Sequence, residues 1–156
     1  MNIVGLLEEK TVLPDLDVKN KTEILNKLIS SLSSKVTEKE LEAIRKAVFE
    51  REEIMSTGVG KGLAIPHGKA PGIKDNYAAF ALLKNPVHYD AIDGEPVSLV
   101  FLLVGPQSNN SLHIKMLSRI SRLMNNNEFR QRLKESTTAK DIIELFRNEE
   151  QAHFGN

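Results

Sequence analysis

Ser56-Thr57-Gly58-Val59-Gly60-Lys61-Gly62-Leu63-Ala64-Ile65-Pro66-His67-Gly68 is the stretch on which the reading of the chain turns. Glycines at alternate positions 58, 60 and 62 make a backbone that reaches positive φ cheaply and lets another chain or an anion come close. Leu63-Ala64-Ile65 reads as a short buried strand. Pro66 ends it, because proline brings no N–H to a ladder. His67 is then expected at a strand end, on a turn, with a permissive Gly68 on its far side. A loop side chain braced by a rigid strand is a common way to present a reactive group.

Working outward, strand and helix patterns alternate. Downstream, residues 69–76 read as a loop that turns at Pro71-Gly72. Residues 77–83 are apolar nearly throughout, which suits a strand covered on both faces, and Asn85-Pro86 is expected to break it. Asp93-Gly94 marks a turn. Residues 97–104 carry the strongest strand pattern, stopped by Gly105-Pro106. His113, Met116, Leu117, Ile120, Leu123 and Met124 then share one helical face. Phe129 and Leu133 predict a short helix. Thr138 caps a last one with Ile142, Ile143, Leu145 and Phe146 inside, and residues 149–156 read as a loose tail. Upstream, Asn20 and Thr37-Glu38-Lys39-Glu40 are helix N-caps, the second a capping box, predicting helices over 21–33 and from 37 to about 51. Val12-Leu13 reads as a short strand broken by Pro14-Asp15. With no internal repeat or low-complexity linker, one α/β domain over 1–156 is expected.

Composition narrows the function. The 156 residues are 40% hydrophobic and 27% charged, the profile of a globular protein with a real core. Twenty-one basic residues balance twenty-one acidic ones, so no charge bias points to nucleic acid or an anionic membrane. Tryptophan is absent and aromatics are 5%, which argues against a base-stacking platform. With no cysteine, disulfides, thiolate metal sites and a cysteine nucleophile are excluded. No apolar run approaches the roughly 20 residues of a membrane span, and the first ten residues lack the signal-peptide pattern. A cytoplasmic protein without membrane insertion is expected.

Four histidines carry the chemistry to be weighed. His67 and His113 both lie beside strand ends and reach toward the same rim of the sheet. Two imidazoles meeting there support metal binding, acid–base work, or a nucleophile that takes a group while its neighbour donates a hydrogen bond. Metal is the weakest option. Zinc wants three or four protein ligands, and the sequence shows no His-x-x-x-His, no Glu adjacent to either histidine and no cysteine. For His113 the plain alternative is a satisfied histidine at the edge of the core. That alternative is weaker for His67, since Pro-His-Gly after a strand is costly to build for packing alone. His88 reads as a surface strand residue and His153 lies in the tail. Arg51 and Arg45 offer guanidinium forks that match phosphate oxygens, against the plain reading of solvated cations at a helix end. The glycine-rich N–H groups are candidates to cradle the same anion. Lys61 is not followed by Ser or Thr, so this is not a Walker motif.

The stretch 56–68 resembles the active-site signature of type-2 enzyme IIA domains of the bacterial phosphoenolpyruvate-dependent sugar phosphotransferase system. This is the fructose/mannitol group, which includes the nitrogen-regulatory enzyme IIA. Arg51-Glu52, Tyr89-Asp90-Ala91-Ile92-Asp93-Gly94 and His113-x-Lys115-x-Leu117 extend the resemblance over about residues 5–147. It implies a mixed central β-sheet flanked by helices on both faces, in one domain. It implies a phosphotransferase in which His67 accepts a phosphoryl group, with His113 and Arg51 completing the catalytic set. Thr57, Gly58, Gly60 and Gly62 are the expected phosphate-binding residues, with no cofactor and no metal. The implied donor is HPr or its nitrogen-branch paralogue, and the acceptor is an enzyme IIB or a regulatory target protein. The generic activity expected is sugar-uptake phosphotransfer. The alternatives are a nitrogen-type regulator working through its phosphorylation state and, from another class, a metal-binding or structural α/β domain. The expected docking rim is Ile54, Met55, Val59 and Leu63.

Overall fold

A computed structural model describes residues 2–155, and its centre is the pair of apolar strands that the sequence marks most clearly. These are β5 (Tyr77–Val87) and β6 (Val97–Pro106), paired antiparallel. Around them lie β1 (Val12–Leu16), β2 (Gly58–Gly60), β3 (Leu63–Ala64) and β4 (His67–Ala70). The order is β1-β5-β6-β3-β2, and β4 also pairs with β6. β1 runs parallel to β5, β3 and β4 run parallel to β6, and β2 is antiparallel to β3, so the sheet is mixed.

Period-two alternation sends successive β6 side chains to opposite faces. Val100, Leu102 and Val104 join Ala79 and Ala81 of β5 beneath α1 (Lys21–Ser30) and α2 (Glu38–Ile54). Leu99, Phe101 and Leu103 join Phe80 beneath α3 (Asn110–Met124), α4 (Asn127–Lys134) and α5 (Ala139–Phe154). On that second face Phe146 lies with its ring centroid 5.2 Å from both Phe80 and Phe129 and 5.6 Å from Phe101, all edge-on. Such contacts stabilise by about 0.5–1.5 kcal/mol each beyond area burial. Caps fix the helix starts: Asn20, Thr37, Asn109, Asn126 and Thr138 each accept an N–H three residues on.

Several boundaries differ from the sequence expectation. Pro14 does not break β1, because β1 is an edge strand and its register shifts between Leu13 and Leu16. β5 likewise continues past Asn85-Pro86 to Val87 through an irregularity between Leu82 and Val87. The tail expected over 149–156 is helical to Phe154: Glu150 is buried and accepts the N–H groups of Ile3 and Val4 while pairing with Arg119 at 2.6 Å. The first helix ends earlier than expected, at Ser30, and the second runs later, to Ile54.

The expected loop at 69–76 begins instead as β4, and His67 is its first residue. Pro66 therefore interrupts a path along β6 rather than ending it. Its carbonyl still accepts the N–H of Leu103, and the pairing resumes with His67 opposite Leu103. Gly68 matters for closeness: a Cβ there would stand 3.1 Å from the backbone of Ala47 and Val48 on α2.

Candidate active site

Four elements bring the candidate residues together. β4 carries His67, the first turns of α3 carry His113, the last turn of α2 carries Arg51, and the chain leaving α2 closes the rim. The rings of His67 and His113 lie 5.8 Å apart, tilted by 50°. A cavity of about 600 Å³ is lined by Arg51, Gly58, Ile65 and His67, and an adjoining one of about 590 Å³ by Arg51, His67 and His113.

The two imidazoles differ in their bonding. His67 Nδ1 lies 2.9 Å from the carbonyl oxygen of Ile65. A carbonyl only accepts, so Nδ1 carries the hydrogen and the Nε2 lone pair is free. Burial, offset in part by that hydrogen bond and reinforced by Arg51, holds His67 below its ordinary pKa, so the ring is neutral near pH 7. His113 is buried with neither ring nitrogen bonded to protein. Burial first, then the nearby His67 and Lys69, lower its pKa to about 4. A buried, unpartnered imidazole of this kind is an open hydrogen-bonding position facing the cavity it lines.

Arg51 donates to the Met55 carbonyl at 2.7 Å and has no carboxylate partner within the described residues, leaving its guanidinium available to an anion. Arg45 is occupied elsewhere, bonded to Asn26 and Glu42. His88 and His153 bond Asp90 and Glu149, and neither histidine lines the cavities beside His67.

The expected phosphate cradle is arranged otherwise. Gly60 and Gly62 flank a tight β2–β3 turn in which Lys61 (φ 58°) and Gly62 (φ 77°) both have positive φ, as a type I′ hairpin turn demands. Neither glycine lines the cavities beside His67. Gly58 does line one, but its N–H goes to Ser56 Oγ, and a Cβ there would stand 2.7 Å from that of Ala91. Thr57 donates both its N–H and its hydroxyl to Glu52, at 2.8 and 2.5 Å. Thr57 and Gly58 thus shape the rim with their donors already engaged, while Gly60 and Gly62 serve the β2–β3 turn.

Glu52 was visible in the sequence only as the neighbour of Arg51. It is buried, and its two oxygens also accept from Tyr89 at 3.2 Å and Lys21 at 3.0 Å. A buried carboxylate with four donors ties α1, α2, the glycine stretch and the segment after β5 into one unit behind Arg51. Its signal in the sequence was an acidic residue at the C-terminal end of a helix, where the dipole disfavours it. Tyr89, fully buried beside this carboxylate, has its phenol pushed far up and stays protonated.

The large apolar side chains most exposed among the described residues all border this region: Ile54, Met55, Val59, Ile92 and Ile114. Ile92 is 83% exposed and Ile54 80%. Leu63, expected on the rim, is buried under α3–α5, whereas Ile92 and Ile114 join it unforeseen. No three of His, Asp and Glu cluster in a way that would hold a metal ion among the described residues. No helix there is long and apolar enough to cross a membrane.

The chain resembles known proteins over nearly its whole length. The family model described as phosphoenolpyruvate-dependent sugar phosphotransferase system, EIIA 2, matches residues 5–149. A nitrogen regulatory protein of Bradyrhizobium diazoefficiens is 35% identical over 145 residues, covering 93% of this chain and 94% of that one. The fructose-specific EIIABC component of Bacillus subtilis is 32% identical, covering 93% of this chain and 23% of that longer protein. The crystal structure of nitrogen regulatory protein IIA-Ntr from Neisseria meningitidis superposes with a TM-score of 0.83 at 29% identity, covering 92% and 97% of the two chains. With the mixed sheet, the paired histidines and a match over nearly its whole length, the chain belongs to the type-2 enzyme IIA family of the phosphoenolpyruvate-dependent sugar phosphotransferase system.

Proposed function

We propose that this protein is a phosphoryl carrier that takes its group on His67 Nε2. The observation that carries the reading is the bond from His67 Nδ1 to the Ile65 carbonyl, which leaves Nε2 as the nucleophile at a cavity shared with His113 and Arg51. The donor is the phosphohistidine of HPr or its nitrogen-branch paralogue, and the protein works in the cytoplasm. The Nε2 lone pair attacks phosphorus in line. The donor's N–P bond breaks, its electron pair returns to the donor imidazole, and a new N–P bond forms on His67. Positioning and charge neutralisation supply most of the acceleration in such transfers. Arg51 faces the phosphoryl oxygens with a guanidinium fork. Neutral His113 donates one N–H to the same oxygens. The apolar rim of Ile54, Met55, Val59, Ile92 and Ile114 seats the partner around the reacting atoms.

The acceptor of the generic activity is an enzyme IIB. A second reading is favoured by the whole-length match to nitrogen regulatory relatives: the phosphorylation state of His67 switches the binding of regulatory targets.

Incubation with phosphoenolpyruvate, enzyme I and HPr tests the proposal. The expected product is an acid-labile, base-stable phosphoryl group that is absent in His67→Ala. Its absence from the unsubstituted protein overturns both readings. In His113→Ala the group still arrives, and onward transfer to an enzyme IIB slows by roughly 10- to 100-fold; unchanged onward transfer removes His113 from the mechanism.

A further inference from the structure

Lys69 is a cation at this site to which the mechanism above gives no role. It follows His67 by two residues on β4, so both side chains leave the same face of the strand. The other face, Gly68 and Ala70, is buried, with Gly68 against α2. The Lys69 ammonium donates to the side-chain oxygen of Asn110, a neutral amide. It pairs with no carboxylate among the described residues. Asn110 opens α3 three residues before His113, so the two share a helix face and the ammonium is held on the His113 side of the site. One cavity is lined by Arg51, His67, Lys69, Asn110 and His113, and no carboxylate lines it. The start of the fifteen-residue α3 adds the positive end of its dipole.

We propose that Lys69 is a second phosphoryl-binding cation, parked on Asn110 until a phosphoryl group on His67 draws it across. This rests on the reading of His67 as the phosphoryl acceptor. A phosphoryl group carries up to about two negative charges, and Arg51 alone matches one. A bond from the ammonium to an anionic phosphoryl oxygen joins opposite charges and is stronger than its bond to the neutral Asn110 amide. Exchange of Asn110 for the anion is therefore favourable once the group is in place. The exchange also changes the face that surrounds His67, because Lys69 leaves the first turn of α3.

The equilibrium of phosphoryl exchange between phospho-HPr and this protein tests the proposal. An equilibrium constant between free species is untouched by residues that only help the partners dock. Lys69→Gln is expected to lower it about tenfold, and Lys69→Arg to restore it to within about threefold. Asn110→Ala removes the resting partner and is expected to raise it two- to threefold, roughly the strength of one exposed hydrogen bond. An unchanged constant in Lys69→Gln, with wild-type protein phosphorylated on His67, overturns the role of Lys69 alone. A fall in Asn110→Ala overturns the parking. Wild-type protein that acquires no phosphoryl group overturns the acceptor reading and this proposal together. If Lys69→Gln does not fold, the Lys69 Nζ resonance decides: it is expected to shift on phosphorylation of the wild-type protein, and an unshifted resonance refutes the contact.

Discussion

The two ends of the protein's polar economy stand side by side in Glu52 and His113. Both side chains are buried: His113 lines one cavity beside His67, and Glu52 holds Thr57, which lines the adjoining one. Glu52 has four donors on its two oxygens, whereas His113 has no partner on either nitrogen. A satisfied buried group holds structure, and an unsatisfied one is stable only where something else completes it. The difference separates a group that holds structure from one left open to a partner. The same contrast appears among apolar groups: Phe146 is enclosed by three other rings, while Ile92 stands out in solvent at the rim of a cavity that His67 lines.

The contrast is broken most directly at His67. His67→Ala is expected to abolish phosphorylation while shifting stability by no more than ~1 kcal/mol, read by phosphoryl incorporation and denaturant unfolding. A large loss of stability would place His67 in the scaffold instead. Phe146→Ala is expected to cost ~3–5 kcal/mol through the cavity it leaves, with phosphorylation of the folded protein unchanged. Glu52→Ala strands Lys21, Thr57 and Tyr89, and a loss of ~3 kcal/mol is expected. A neutral outcome in urea unfolding would show that the four hydrogen bonds are replaceable by water.

The smallest effect is a pH dependence. The folded pKa of His113, about 4, lies below the ordinary 6.5, so the unfolded chain takes a proton first. Stability is unaffected above pH 6.5, falls as pH drops toward 4, and levels below that. The slope sums to at most ~3 kcal/mol, and the depressed pKa of His67 acts in the same direction. Carboxylates titrate in the same window, so the quantity to measure is the difference between wild type and His113→Gln. Parallel curves would mean that His113 is charged, or partnered, in the folded protein.

Much of this was legible one segment at a time. The capping box of α2, the apolar runs of β5 and β6 and the α3 face lie in local sequence, and the structure keeps them. Pro14, Pro86 and Pro66 misled because a proline's effect depends on which strand edge its missing N–H faces. That is a property of the sheet, not of the tripeptide. The tail at 149–154 read as loose because its anchor, the pairing of Glu150 with Arg119 and the N–H groups of Ile3 and Val4, spans almost the whole chain.

By itself the sequence determined the α/β class, the family signature and the identity of His67, His113 and Arg51 as candidates, because residue type and spacing are properties of the string. Tertiary structure alone decided which glycines serve the backbone and that Thr57 turns inward to Glu52. It alone put Lys69 beside His113, left His67 Nε2 free, and chose Ile92 and Ile114 over Leu63 for the rim. Each depends on what a side chain meets from a distant segment, and neither propensity nor periodicity encodes that.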